Sequence, residues 1–366
     1  MKIESSQEKL QSAIFQAARI AGKNTNLPVL GCVLLEATKK GLLVRATNLE
    51  LGIEVRVPVK VIEEGVAAVP ADAIGSLIAS LYGGSSVLIE RRENQLSVVS
   101  GKSRSLVKTI PHEDFPTLPK PPQEISVTLK ASQLSEGFRS VWYCASVGSV
   151  KPELGSVLIQ GTKGSLIFTA TDSFRLGEKT IPVRGAPEFG QTLVPLRNVP
   201  ELIKLLDTHE GEIALVLDKH QLSFTVGSAY VTSRLIEGSF PDYRQLIPKK
   251  STTEAILLKQ DLANAFKLSN IFSDQSHQVK FSITPAKKSF VLSSRNADVG
   301  ESEDSLPAAL SGEELAVSFN ARYIAESLQS IHSDSVELKF SGLGKPLLIS
   351  GVSDPSFLYL VMPMNR

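Results

Sequence analysis

The sequence predicts an α+β protein built from three copies of one unit, each with two helices lying on antiparallel sheets. Three sets of positions predict it, because self-similarity at one fixed spacing marks a repeated fold. Segments that read as a strand ending in a polar turn, 43–51, 166–176 and 290–298, align on Asn48, Asp172 and Asn296, which stand 124 and 124 residues apart. Val69, Val194 and Val317 each precede a helical pattern and stand 125 and 123 apart. Leu10, Leu134 and Leu262 occupy like positions in the first helix of each copy, and 366 residues divided by three is 122.

Each copy opens on a short strand, around Ile3, Val127 and Ile256. An amphipathic helix follows, and then strands of alternating polarity. A second helix is marked by apolar residues at helical spacing: Ile74, Leu77, Ile78 and Leu81; Leu202, Ile203, Leu205 and Leu206; Tyr323, Ile324, Leu328 and Ile331. A hairpin comes next, 87–90 with 95–99 in the first copy, and a last strand closes the copy. The two halves of each copy resemble each other. Roughly two helices and eight strands per copy, with helices on one side of antiparallel sheets, make a layered α+β architecture. The stretches 116–122 and 248–253, the first rich in proline, separate the copies, giving domains 1–122, 123–249 and 250–366.

Hydrophobic residues at 42% and charged residues at 21% belong to an ordinary globular chain and exclude a disordered one. Thirty-nine Lys and Arg against 38 Asp and Glu leave a net charge of +1. That is not the excess of a protein that grips nucleic acid by charge alone, so any such contact must rest on local charge or on topology. The first residues are too polar for a signal peptide, and no apolar run approaches the ~18 residues that span a bilayer. Cys32 and Cys144 lie in apolar stretches and read as buried thiols. A cytoplasmic location without membrane contact is expected.

His112, His209, His220, His277 and His332 stand at no metal-ligand spacing from one another or from a cysteine. No hydrolase or protease motif is present, so neither cofactor nor metal nor catalytic residue is expected. Gly101-Lys102-Ser103 looks like the end of a phosphate loop, but Leu96 stands where that loop needs glycine; a hairpin turn is the simpler reading. Asp172, Ser173 and a histidine would make a hydrolase triad only without a nucleophile elbow or an oxyanion loop. The helices are mildly positive, with Lys9, Arg19, Arg139, Arg197, Lys204, Lys259, Lys267 and Arg322 on or beside them.

Six strings in order resemble the bacterial sliding clamps, the β subunits of replicative DNA polymerase III. They are 22–31, 47–51, 100–104 leading to 114–118, Ala170-Thr-Asp-Ser-Phe-Arg-Leu176, Phe240-Pro-Asp-Tyr-Arg244 and Tyr359-Leu-Val-Met-Pro-Met364. The resemblance spans the chain. It implies a non-catalytic processivity subunit: a head-to-tail homodimer closing into a ring of six clamp domains, helices lining a central hole and sheets forming the outer rim. Such a ring encircles duplex DNA without reading sequence, and it tethers polymerase by topology. Sliding requires weak phosphate contacts, for which Lys23, Asn24, Lys151 and Arg197 are the matching positions.

The resemblance also implies a cleft between the second and third domains that takes short peptides resembling Q-L-x-L-F. The matching positions are Leu154, Thr171, Ser173, Phe174, Arg175, Leu176, Pro241, Gln245, Leu246, Leu360, Met362, Pro363 and Met364. Arg175 is expected at its polar rim, and 362–364 as a terminal flap over it. Lys102 and Arg104 in the first domain and Ile271, Phe272, Glu301, Glu303 and Asp304 in the third match the dimer interface. The implied partners are the polymerase III catalytic subunit, the clamp loader, and repair polymerases and ligase. Phe174 stands where the family often has His or Tyr, and Gln245 where a basic residue is frequent. The competing reading is a clamp-fold interaction scaffold that does not encircle DNA.

Overall fold

The computed structural model describes residues 1–22, 27–81, 86–120, 125–148 and 150–364. Lys23 and Asn24, two of the expected DNA contacts, lie outside the described residues. Six α-helices are present among those described: α1 (Gln7–Ala18), α2 (Ala71–Ala79), α3 (Ala131–Val141), α4 (Val199–Leu206), α5 (Lys259–Ile271) and α6 (Ala321–Ser327). They fall two to each repeat, as the apolar spacing predicts. In α1 the buried residues are Leu10, Ala13, Ile14 and Ala17, one stripe at three- and four-residue spacing. Leu134 and Leu262, its counterparts in α3 and α5, are fully buried as well. No described helix is long and apolar enough to cross a membrane.

The chain forms two compact units, and each takes half of the middle repeat: 1–135 with 197–235, and 136–196 with 236–366. In the first, a five-stranded sheet runs in the order Lys60–Glu63, Lys2–Ser6, Ser86–Arg92, Gln95–Ser100, Ser103–Lys108. An eight-stranded sheet joins Ile125–Lys130, Glu212–Leu217, Gln221–Val226 and Ala229–Arg234 of the middle repeat to Leu51–Val57, Gly41–Thr47, Cys32–Thr38 and Gly65–Pro70 of the first. The seam is antiparallel, Ala229 facing Val55 through Ser233 facing Leu51.

The second unit repeats that design. Its nine-stranded sheet runs Phe189–Pro195, Ser156–Thr162, Ser165–Thr171, Arg175–Pro182, then Asp354–Val361, Leu347–Gly351, Ser335–Phe340, Thr253–Leu258, Ala308–Gly312. Its seam pairs Arg175 with Val361, Leu176 with Leu360, and Lys179 with Phe357. A four-stranded sheet, Gly300–Ser305, Ser289–Asn296, Gln278–Thr284, Leu315–Asn320, completes it. Phe281 centres this core, its ring 5.5–6.2 Å from those of Phe266, Phe290, Phe319 and Phe340. Helix α3 meets its sheet closely because residue 137 is glycine: a Cβ there would stand 2.3 Å from the ring of Phe168. Both cysteines are free and buried. Burial pushes the Cys32 thiol up to about 11 and the Cys144 thiol higher still.

Candidate peptide cleft, sheet edges and basic helices

The tetrad after Thr171 folds into a turn by its own side chains. Thr171 Oγ1 donates to the Arg175 carbonyl at 2.7 Å and accepts from Ser173 N at 3.2 Å. Asp172 Oδ1 accepts from Phe174 N and Arg175 N, both at 2.9 Å. Short acceptor side chains of this kind close turns by replacing backbone partners. Ser173 takes the left-handed conformation, φ 78°. The turn thrusts Phe174 outward, 63% exposed, and presents its carbonyl to Met362 N at 2.7 Å.

Beside the turn lies an apolar cluster of Leu158, Leu176, Leu193, Phe240, Tyr243 and Leu360, all buried, with Ile236, Ile247, Leu348 and Leu358 packed against it. The segment carrying Phe240 and Tyr243 is fastened at two points. Gln191 accepts from Phe240 N at 2.8 Å and donates back to its carbonyl at 3.3 Å. The Tyr243 hydroxyl donates to Glu178 and accepts from Thr169 at 3.1 Å. Burial and then the Glu178 charge push that hydroxyl up to about 12. Exposed residues near the cluster along the chain form its candidate lip, Leu246 at 60% and Met362 at 41% with Phe174, Pro241 and Gln245. Leucine and methionine make an adaptable apolar surface.

Two expected residues sit differently. Arg175 is no open rim: its guanidinium turns inward, the side chain 12% exposed. Nε reaches Asp172 at 3.0 Å and Nη1 reaches Glu326, while the group lies over the Tyr323 ring at 4.3 Å and the Tyr143 ring at 5.8 Å. Burial works against its charge, but the hydrogen bond to Glu326 together with the neighbouring Tyr359, Cys144 and Asp172 outweighs it and holds the proton more tightly than usual. The expected flap is tied at both ends, for Met364 N donates to the Ser318 carbonyl at 2.9 Å while Met362 N holds Phe174. Leu154 is buried in the separate 3-10 turn Pro152–Gly155 and is not part of the apolar cluster. Glu326, Tyr143 and Tyr323 escaped the sequence reading, since nothing at their spacing marks them as neighbours of Arg175.

Two of the strands that end a sheet differ in charge: Ser103–Lys108 ends the five-stranded sheet and Gly300–Ser305 ends the four-stranded one. The first carries Arg104 and Lys108, with Lys102 in the turn before it. The second carries Glu301, Glu303 and Asp304. At the end of α5, Ile271 is exposed, and the Phe272 ring comes within 3.8 Å of where a Cβ on Gly300 would sit.

The helix cations are largely matched by acids. Arg19 and Lys204 both reach Glu201 at 2.8 Å, and Arg322 reaches Glu326 at 2.9 Å. Arg197, 67% exposed at its side chain, pairs with Glu50 at 3.0 Å. Lys151 is exposed just before the Pro152 turn. No group of three or more His, Cys, Asp or Glu is placed to hold a metal among the described residues.

Comparison with known proteins returns one family throughout. Its three domain models match in order: DNA polymerase III beta subunit, N-terminal domain over residues 1–119, central domain over 128–242 and C-terminal domain over 244–365. The beta sliding clamp of Synechococcus elongatus is 29% identical over 373 aligned positions, covering 100% of this chain and 99% of its own length. That of Proteus mirabilis is 28% identical with 100% of both covered. The crystal structure of the DNA polymerase III subunit beta from Pseudomonas aeruginosa superposes with a TM-score of 0.95 at 26% identity, covering 100% of both chains.

Proposed function

Since the chain belongs to the family of DNA polymerase III beta subunits, we propose that two copies of it close head to tail around duplex DNA and tether the replicative polymerase there as a sliding clamp. Members of this family are processivity factors, not enzymes. The reading is supported above all by the sheet seams. Strands beginning at 51 and 175 pair with strands beginning at 229 and 354. The remaining members of the same two sets begin at 300 and 103, and each ends its sheet with no strand on its outer side. A second copy supplies the missing partner of each. Because the two edges belong to different repeats, pairing is head to tail, and two chains of three domains (1–122, 123–249, 250–366) complete a six-domain ring. Basic residues on one edge and acidic ones on the other favour this pairing over like with like.

In such a ring the helices face the hole and the sheets form the rim. Nearly neutral helices suit a device that must slide, since each firm phosphate contact would hold it in place. Lys23, Asn24, Lys151 and Arg197 are the proposed DNA contacts. The Leu176–Leu360 cluster with its Phe174, Leu246 and Met362 lip is the proposed dock for short apolar peptides of the polymerase III catalytic subunit, the clamp loader, repair polymerases and ligase, in the cytoplasm. An occupant reaches the buried floor by displacing the lip. Two or three buried Leu or Phe side chains at ~1.5–3 kcal/mol each, less the cost of ordering, correspond to roughly micromolar affinity, which lets partners exchange.

The test is topological. Loaded on nicked circular duplex with a bacterial clamp loader, the protein is expected to co-elute with the DNA through gel filtration and to be lost when the circle is cut once. Equal retention on linear and circular DNA would reject encirclement.

A further inference from the structure

We infer that Arg175 is the positioning residue of the peptide cleft: it fastens the Asp172–Arg175 turn, one wall of that cleft, to helix α6 and does not itself receive the peptide. The inference rests on the cleft reading above. The first repeat builds the same turn without an arginine. There Leu51 holds the place of Arg175, Asn48 Oδ1 accepts from Glu50 N at 3.0 Å and Leu51 N at 2.8 Å, and Leu49 has φ 76° against 78° at Ser173. The turn therefore closes without a cation, and the arginine must do something else.

What it does is bind two elements together. Asp172 lies in the turn; Glu326 and Tyr323 lie in α6, and all three touch the guanidinium. A buried charge is costly unless fully matched. Here two carboxylates and a ring face match it and leave little charge for an incoming peptide. Helix α6 is a firm anchor: the Asn320 side chain caps it by accepting from Arg322 N and Tyr323 N, and its Ile324 is buried. Tyr359, in the strand that ends at the cleft, donates its hydroxyl to the Tyr323 carbonyl at 2.7 Å. Since the Phe174 carbonyl holds Met362 N, whatever holds the turn also holds the lip.

The experiment uses the full dimeric protein and a fluorescein-labelled pentapeptide, QLALF. Arg175→Met and Glu326→Gln are each expected to weaken binding at least fivefold, with the double variant no more than about twofold below the weaker single, as for residues acting through each other. The salt dependence of binding should stay as in the parent, and amide exchange at Met362 should accelerate while the strand Ser156–Thr162 keeps its protection. Arg175→Lys keeps the charge without the planar fork and guards against a folding failure: its Met362 exchange should accelerate with its melting temperature near the parent's. Loss in Arg175→Met but not in Glu326→Gln, with a flattened salt dependence, would mean that Arg175 touches the peptide and would overturn the inference. So would unchanged Met362 exchange in all variants. Leu360→Ala separates the two ideas: if it and the parent bind QLALF equally, the cleft reading fails, and Met362 exchange alone decides the role of Arg175.

Discussion

The chain makes the same seam twice, and only the second is proposed to take an apolar peptide. The turns match position by position, Thr47 with Thr171, Asn48 with Asp172 and Leu49 with Ser173, and Arg234 N donates to the Glu50 carbonyl at 2.8 Å as Met362 N does to that of Phe174. The side chains differ. Where the second seam sets Leu176 against Leu360, the first sets Gly52 against Thr232. Glycine leaves a gap, and Leu118 of the following linker fills it; a Cβ on Gly52 would stand 2.5 Å from Leu118. The lip changes likewise, from Phe174 and Met362 to Glu50 and Arg234. Backbone pairing thus builds the junction, and two or three side chains decide whether its lining is polar or apolar.

In the proposed ring the third instance of the seam forms between copies, so it alone would depend on concentration and could be broken without touching a core. Glu301→Lys with Glu303→Lys would set like charges against Arg104 and Lys108, and the dimer dissociation constant should rise by a factor on the order of 100, or about 3 kcal/mol. Native mass at low micromolar concentration should fall from twice 39.5 kDa to 39.5 kDa. Adding Arg104→Glu and Lys108→Glu should restore the dimer. If Glu301→Lys with Glu303→Lys alone still dimerises, these two edges are not the third seam.

Within the second seam, Leu360→Thr copies the first. Shortening a buried leucine and adding a hydroxyl there should cost about 2–4 kcal/mol of stability by the usual core-truncation range. QLALF affinity should fall by about thirtyfold while native mass stays dimeric. Denaturant titration and fluorescence anisotropy measure the two effects. A variant that loses stability but keeps peptide affinity would remove Leu360 from the floor of the cleft.

The repeat was legible because its marks are local: helix stripes such as Leu10, Ala13 and Ile14, and the Thr–Asn or Thr–Asp turns, depend only on spacing along the chain. The apolar cluster was half legible. Leu176 and Leu360 are 184 positions apart and meet only because the seam pairs them, so they came from resemblance, whereas Leu158 and Leu193 came from neither. Arg175 shows the limit most clearly. A single arginine after a turn reads as an exposed cation, and its burial depends on Glu326 and Tyr323, which a linear pattern cannot bring to it.

The smallest effect concerns the one atom by which the acceptor side chains that close the two turns, Asn48 and Asp172, differ. Asp172→Asn gives the middle turn the closing side chain of the first, where an amide oxygen already accepts both backbone N–H groups. The turn should therefore close unchanged, and only the bond that Asp172 Oδ2 accepts from Arg175 Nε at 3.0 Å is lost, since the amide nitrogen cannot accept it. With Glu326 still in place, stability should fall by about 1–2 kcal/mol, the range for one charge-assisted bond, and QLALF affinity by less than about threefold. Asp172→Ala removes the acceptor for Phe174 N and Arg175 N as well, and should cost about another 1 kcal/mol with a clear rise in Met362 exchange. Urea unfolding of the two variants side by side measures the difference. If asparagine proves as damaging as alanine, the middle turn depends on its charge, and the likeness between the two seams ends at the backbone.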